Sequence, residues 1–235
     1  MPQRGFVLIE VAIALLVLAL ILGGILAPLN AQVEQGKIRD TNKVISDINE
    51  ALLGYVMING RLPRPATSLT DGLERGTCTT DANCTGFIPW TTLGSPKLDA
   101  WGNLIRYSVD PHFADSPFTL ASILCPPSPC FPGSKTIRER NAVGGLVDYA
   151  TYVPVIVWST GPENFGTNGI GAVRANNSSG VTNADEITNN TASTTFIRRI
   201  QVNNSAATGG EFDDIVTFIP TAILVNKAIA AGKLP

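Results

Sequence analysis

Apolar residues run from Phe6 to Leu29 with a single interruption, Glu10. At about 1.5 Å per helical residue the run is long enough for roughly 30 Å of hydrocarbon, and it predicts a membrane-spanning helix. Gly23, Gly24 and Pro28 would weaken a lone helix in water, but neighbouring helices in lipid can re-satisfy such a backbone. After Leu29 the pattern narrows to one stripe. Ile38, Val44, Ile45, Ile48, Leu52, Tyr55 and Val56 recur at three- and four-residue spacing, with Glu34, Lys37, Arg39, Asp40, Lys43, Asp47 and Glu50 on the wet faces. Asn59-Gly60 is a helix stop, and Pro63 and Pro65 prevent continuation. The expectation is one helix from Phe6 to near Ile58, apolar all round in its first half and on one face in its second.

The remaining pattern is shorter in period. Thr67–Leu98 reads as loop and turns. A turn at Gly102-Asn103 leads into an alternating run, Leu104–Val109, and further strands are expected at Tyr149–Ser159, Thr195–Val202 and Ile215–Pro220. Asn164–Asn190 is a long polar stretch. Thr221–Ala231 is a short helix with Lys227 inside it, too short for a second span. No internal repeat is visible. The chain divides into a leader at 1–5, a spanning and assembly helix at 6–29, its amphipathic continuation at 30–59, and a head at 60–235, large enough for one sizeable core.

Glu10 changes the meaning of the first element. An acidic side chain inside a membrane helix costs roughly 2.5–3.5 kcal/mol at the centre and less near an end, and it marks function by default. Here it asks for a positive partner on a neighbouring subunit. The bland alternative is a carboxylate reaching back to the membrane face, but Glu10 sits a full turn into the run. Arg4 favours a cytoplasmic amino terminus. An ordinary cleaved secretory signal has an apolar core of about 7–15 residues, and this run is longer.

Charge narrows the partners. The formal net charge is -2 and no Lys/Arg cluster exists, so nothing favours nucleic acid. Abundant Gly, Pro, Asn, Thr and Ser with few charges suit a loop-rich exported domain. The four cysteines form two close pairs, Cys78 with Cys84 and Cys125 with Cys130. Outside the cytoplasm they are disulfide candidates, and three connectivities remain open. Zinc is the rival reading; a zinc site usually wants C-x2-4-C spacing with His or further Cys support, and His112 is the only histidine, in a predicted loop.

Gly5-Phe6-Val7-Leu8-Ile9-Glu10, followed by a hydrophobic helix, resembles the signal of type IV prepilins and type II secretion pseudopilins, whose pattern is Gly-Phe-Thr-Leu-Ile-Glu. Val7 in place of Thr is a mild departure. The resemblance implies an α+β, pilin-like fold, with the long N-terminal helix packed on a small antiparallel sheet in the head. It implies cleavage between Gly5 and Phe6 by a prepilin peptidase, N-methylation of Phe6, and pairing of Glu10 with that terminus on an adjacent subunit. It also implies a bacterial inner-membrane subunit with a single pass and a periplasmic head, later moved into a filament. The partners implied are other pilin or pseudopilin subunits and an inner-membrane assembly platform. Asp99-Ala100-Trp101-Gly102 with Tyr107 is similar to a pseudopilin segment, and we read its Trp as a fold anchor.

Ser159-Thr160-Gly161, Gly166, Gly169 and Asp213-Asp214-Ile215 resemble the region that holds calcium in major pseudopilins. Calcium wants about 6–8 oxygens. Asp213 and Asp214 are the candidate ligands, with Asp185 or Glu186 as further donors; solvated loop acids are the other reading.

Enzymatic signatures are sparse. Any Ser/His/Asp or Cys/His arrangement must use His112, and neither G-x-S-x-G nor G-x-x-x-x-G-K-[ST] occurs. The sequence therefore points to a non-enzymatic subunit of a type II secretion pseudopilus or type IV pilus, minor or specialised. The alternative is a membrane-anchored periplasmic binding or hydrolytic domain that does not polymerise.

Overall fold

The computed structural model describes residues 8–114, 117, 119, 134–175, 183–191 and 194–234, with the backbone alone over 21–29. Its helices are α1 (Leu8–Asn59), α2 (Trp90–Leu93), α3 (Pro111–Ala114), α4 (Ala184–Thr191) and α5 (Thr221–Ala230). Its strands are β1 (Thr85–Phe87), β2 (Arg106–Val109), β3 (Lys135–Arg140), β4 (Leu146–Val153), β5 (Val155–Ser159), β6 (Thr195–Ile197) and β7 (Ile215–Ile219). The chain separates into two compact units, Met1–Asp40 and Thr41–Pro235.

In the first unit, the described side chains of Leu8–Leu20 are exposed on every side of α1. Leu8 is 88 % and Leu20 is 68 % exposed.

The second unit begins where the stripe becomes useful. Thr41, Ile45, Ile48, Leu52 and Val56 are buried at helical spacing, and the four apolar ones pack with Leu62, Ile105, Tyr107, Val109, Val155, Val157 and Leu224. Gly60, at φ 68°, ends the helix in the left-handed region, and its N–H bonds to Val56 O at 2.8 Å.

The four-stranded sheet has the order β1-β2-β5-β7 and is antiparallel throughout. All five residues of β5 are buried, because both faces of the strand are covered. Val155 and Val157 face the core shared with α1, whereas Ile156 and Trp158 face a second core with Ile137, Val153, Phe196 and Val216. That second core is roofed by a three-stranded sheet, β4-β3-β6, in which β3 pairs antiparallel with β4 and parallel with β6.

Three expectations are corrected. Among the described residues, no helix is long and apolar enough to cross a membrane. The membrane-spanning first half therefore falls, and with it the transmembrane character and the single-pass inner-membrane placement. The α+β head with one small antiparallel sheet is replaced by a mixed α/β arrangement of two sheets, one of which contains a parallel pair.

Local differences have local causes. Tyr149–Ser159 is two strands, because Pro154 has no N–H to donate and Tyr152 takes φ 58° just before it. The Asp99–Tyr107 segment is held by the Asp99 carboxylate. Asp99 Oδ1 accepts from the Trp101 and Asn103 amides at 2.9 and 2.8 Å, and Ser159 Oγ donates to its Oδ2 at 2.6 Å. The carboxylate so joins turn to sheet, while the Ala100 N–H beside it reaches Thr41 Oγ1 of α1 at 3.1 Å and joins turn to helix. His112 lies in α3, where Asp110 Oδ1 lies 2.9 Å from its Nδ1.

Candidate metal centre

Antiparallel pairing of Ser159 with Ile215 brings the end of β5 beside the start of β7. The loop leaving β5 and the two residues entering β7 therefore share one corner. Asp213 and Asp214 lie in that corner, 7 % and 6 % exposed, which corrects the reading of them as solvated loop acids. The α4 helix brings a third carboxylate. One ligand oxygen from each of Glu186, Asp213 and Asp214 lies within 4.8 Å of the others, and all three residues are buried.

Hydrogen bonds fix the orientation of each group. The Asp213 N–H donates to Glu186 Oε1 at 2.8 Å, and Asn164 Nδ2 donates to Glu186 Oε2 at 3.0 Å. Glu163 N–H donates to Asp213 Oδ2 at 2.8 Å, and Asn189 Nδ2 donates to Asp214 Oδ2 at 2.7 Å. Asp213 Oδ1 is buried and has no hydrogen-bond partner among the described residues. Gly161, at φ 63°, allows the close approach of the loop: a Cβ there would stand 2.5 Å from Asp213 Cγ.

Crowding three acids out of water disfavours their charged forms. Burial first, then the charges of Glu186 and Asp214, push the Asp213 carboxyl up to about 9. Burial also raises Asp214 well above its ordinary range, with Glu186 adding to the effect. Glu186 is raised by burial, although the bonds from Asp213 and Asn164 oppose it.

The donor set is all oxygen and anionic, which suits a hard divalent cation such as calcium and offers no nitrogen or sulfur for a softer one. The orphan Asp213 Oδ1 is the observation that makes the fit specific. A cation there would satisfy it and relieve the repulsion.

The other predicted residues are placed as follows. Asp185, proposed beside Glu186 as a donor, is not part of the cluster. Its carboxylate is held by Arg140, at 2.7 and 2.6 Å, and by Arg199 at 2.6 Å. Of the two alternatives, Asp185 or Glu186, it is Glu186 that joins the cluster; Asn183 three residues before it is a helix-start signal that would have placed it on α4. Glu10 lies exposed in the first turn of α1. Cys78 and Cys84 form a disulfide with both residues fully buried, so zinc is not the reading for this pair. Gly5, Phe6, Cys125 and Cys130 lie outside the described residues.

No family model matches the chain, and neither a curated protein nor a solved structure matches it.

Proposed function

We propose that this chain is a structural subunit of a pilin-like filament, a type II secretion pseudopilus or a type IV pilus, with assembly rather than turnover as its work. The observation that carries the reading is the sharp change along α1. Large apolar side chains such as Leu8, Ile9, Ile13, Leu15, Leu16 and Leu20 are exposed, whereas Ile45, Ile48, Leu52 and Val56 are used up inside the head. A monomer does not ordinarily leave so many large apolar groups in water. Packing the same stretch of several copies side by side would bury them. Each side chain so buried contributes roughly 1.5–3 kcal/mol, and Glu10 supplies register by meeting the amino terminus of Phe6 on a neighbouring copy. The partners are then other subunits of this kind, a prepilin-type peptidase acting between Gly5 and Phe6, and an assembly platform.

The test is a Glu10→Ala variant of the full chain, scored for incorporation into filaments alongside wild type. Incorporation should be lost while the head remains folded; undiminished incorporation overturns the reading. Mass spectrometry of the mature protein should find an amino terminus at methylated Phe6.

We further propose calcium as the ligand of Glu186, Asp213 and Asp214, with a structural role in fixing the corner where β5, β7 and α4 meet. Support comes from the buried all-oxygen donor set and the unsatisfied Asp213 Oδ1.

A further inference from the structure

Where β3 and the chain leaving β6 part company, the head has an open cleft of about 680 Å³. Competing partners open it. The last rung between the two runs from Arg198 N–H to Arg138 O at 2.9 Å. Further on, Val202 exchanges two bonds with Phe212, each of 2.9 Å, and the chain is drawn away from β3. On the other side of β3, Asn141 N–H bonds to Gly145 O, so the backbone groups of Glu139 and Asn141 face β4. Strand alternation turns the Arg140 N–H and C=O the other way, towards the cleft. Among the described residues neither makes a backbone bond across it. The central strand of the sheet therefore ends in an unpaired donor and acceptor, a short open edge.

The side chains around that edge favour negative charge. Arg140, Arg198 and Arg199 line the cleft against the single carboxylate of Glu139. Buried Asp185 holds Arg140 and Arg199, which still leaves the lining net positive in a chain of formal charge -2. Arg198 has its donors unspent. Its guanidinium lies 4.8 Å from the Tyr149 ring centroid, and that ring meets Phe218 edge-on at 6.2 Å. Its Nε is 3.8 Å from Glu139 Oε1, too far for a hydrogen bond. Among the described residues its side chain makes no hydrogen bond. A planar cation held over a ring with free donors suits a carboxylate. Val143, from the β3–β4 turn, and Ile200, from the segment after β6, add almost fully exposed apolar groups to the two walls.

We propose that this cleft docks an extended acidic segment of a partner polypeptide. The segment pairs its backbone with Arg140 as an added strand, sets a carboxylate on Arg198, and lays an apolar side chain against Val143 or Ile200. Backbone pairing separates a peptide from a free anion, and the positive lining separates an acidic peptide from a basic one. The inference is independent of the cation site and of the filament reading.

The experiment is fluorescence anisotropy with the full chain in a non-ionic detergent. The probe is a labelled Val-Glu-Val-Glu-Val-Glu peptide. Its controls are the matching Val-Lys peptide and the Val-Glu peptide N-methylated at every residue, which keeps its side chains and loses its donors. The acidic peptide should bind with a Kd below about 1 mM, and both controls should bind at least about tenfold more weakly. R198Q, with folding checked by circular dichroism, should weaken the acidic peptide by about tenfold, the worth of a hydrogen-bonded charge pair. No binding of the acidic peptide overturns the proposal, and so does equal binding of the basic one. Equal binding of the N-methylated peptide, or displacement by free glutamate as readily as by unlabelled peptide, makes the cleft a plain anion pocket and overturns it as well. An unchanged R198Q removes the assigned carboxylate contact and with it the proposal. The peptide comparisons decide the matter on wild type alone if R198Q does not fold.

Discussion

The backbone N–H of Asp213 donates to Glu186 Oε1 at 2.8 Å, coupling the residue that enters β7 to a carboxylate on α4. The backbone of one acidic residue thus orients the side chain of another. Such an arrangement is stable when something neutralises it, either a proton or a cation. With a cation bound only to the folded state, stability rises by about 2.7 kcal/mol at a hundredfold excess over Kd. For a chain of this size each kcal/mol moves Tm by roughly 2–4 °C. Calcium should therefore raise the melting temperature by about 5–10 °C, and a chelator should reverse it. Scanning calorimetry with and without the chelator is the check.

Asp213→Asn should separate the two ways of neutralising that corner. An amide keeps an acceptor for the Glu163 N–H and gains a donor for Glu186, while it removes one buried like charge. The variant should be at least as stable as wild type without calcium and should no longer respond to it. A loss of stability in calcium-free buffer would contradict the picture of a repelling cluster. Urea unfolding under both conditions gives the comparison.

Much of this was legible in the sequence, and the parts that were not have physical reasons. The stripe Ile45, Ile48, Leu52 and Val56 and the stop at Asn59-Gly60 were readable because helix periodicity and a left-handed cap are local properties. Strand β7 and helix α5 were readable for the same reason. Strand β3 was not, because Lys135-Thr-Ile-Arg-Glu-Arg140 has one apolar side chain, Ile137, to send into a core. Its place depends on pairing with β4 and β6, which are distant choices. Helix α4 was hidden in an Asn-rich stretch whose composition reads as loop. The acid cluster was half visible: adjacent Asp213 and Asp214 stood out, but the third member is brought in by tertiary packing. The membrane span failed for a different reason, since the apolar character that argues for lipid argues equally for packing against other copies.

Glu74 makes a pH-dependent clasp over the end of α1. Arg61 donates to both its oxygens, at 2.9 and 2.8 Å, while Arg64 N–H and Tyr55 Oη also donate to it, at 3.0 and 3.1 Å. Burial alone would raise its pKa, but the Arg61 bond and the others outweigh burial, and the net direction is downward from 4.5. A carboxylate held below its unfolded value binds protons less well when folded, so its contribution is present above pH 4.5 and is lost as pH falls through the depressed value. Glu74→Gln should therefore cost about 1.5–3 kcal/mol at neutral pH, the worth of hydrogen bonds to a charged group. The gap between wild type and E74Q should narrow as pH drops below the ordinary carboxylate value. Parallel denaturant titrations at neutral and acidic pH would show it; a gap independent of pH would refute it.

The Cys78–Cys84 staple should matter through the residue it encloses. Asp81 lies inside the loop, and its Oδ1 accepts from Lys135 Nζ at 2.9 Å, with the lysine side chain fully buried. Burial pulls the Lys135 pKa down, and Asp81 opposes that pull. Closing so short a loop contributes about 2 kcal/mol by restricting the unfolded chain. Opening it also lets Asp81 drift from a cation with little access to water, which adds the cost of weakening a buried ion pair. The double variant Cys78→Ala/Cys84→Ala should then lose more than the loop term alone, and Asp81→Asn in the oxidised protein should reproduce part of the loss. If the two losses add when the three changes are combined, staple and ion pair act independently. A combined loss smaller than their sum would show that the disulfide works in part by holding Asp81 against Lys135.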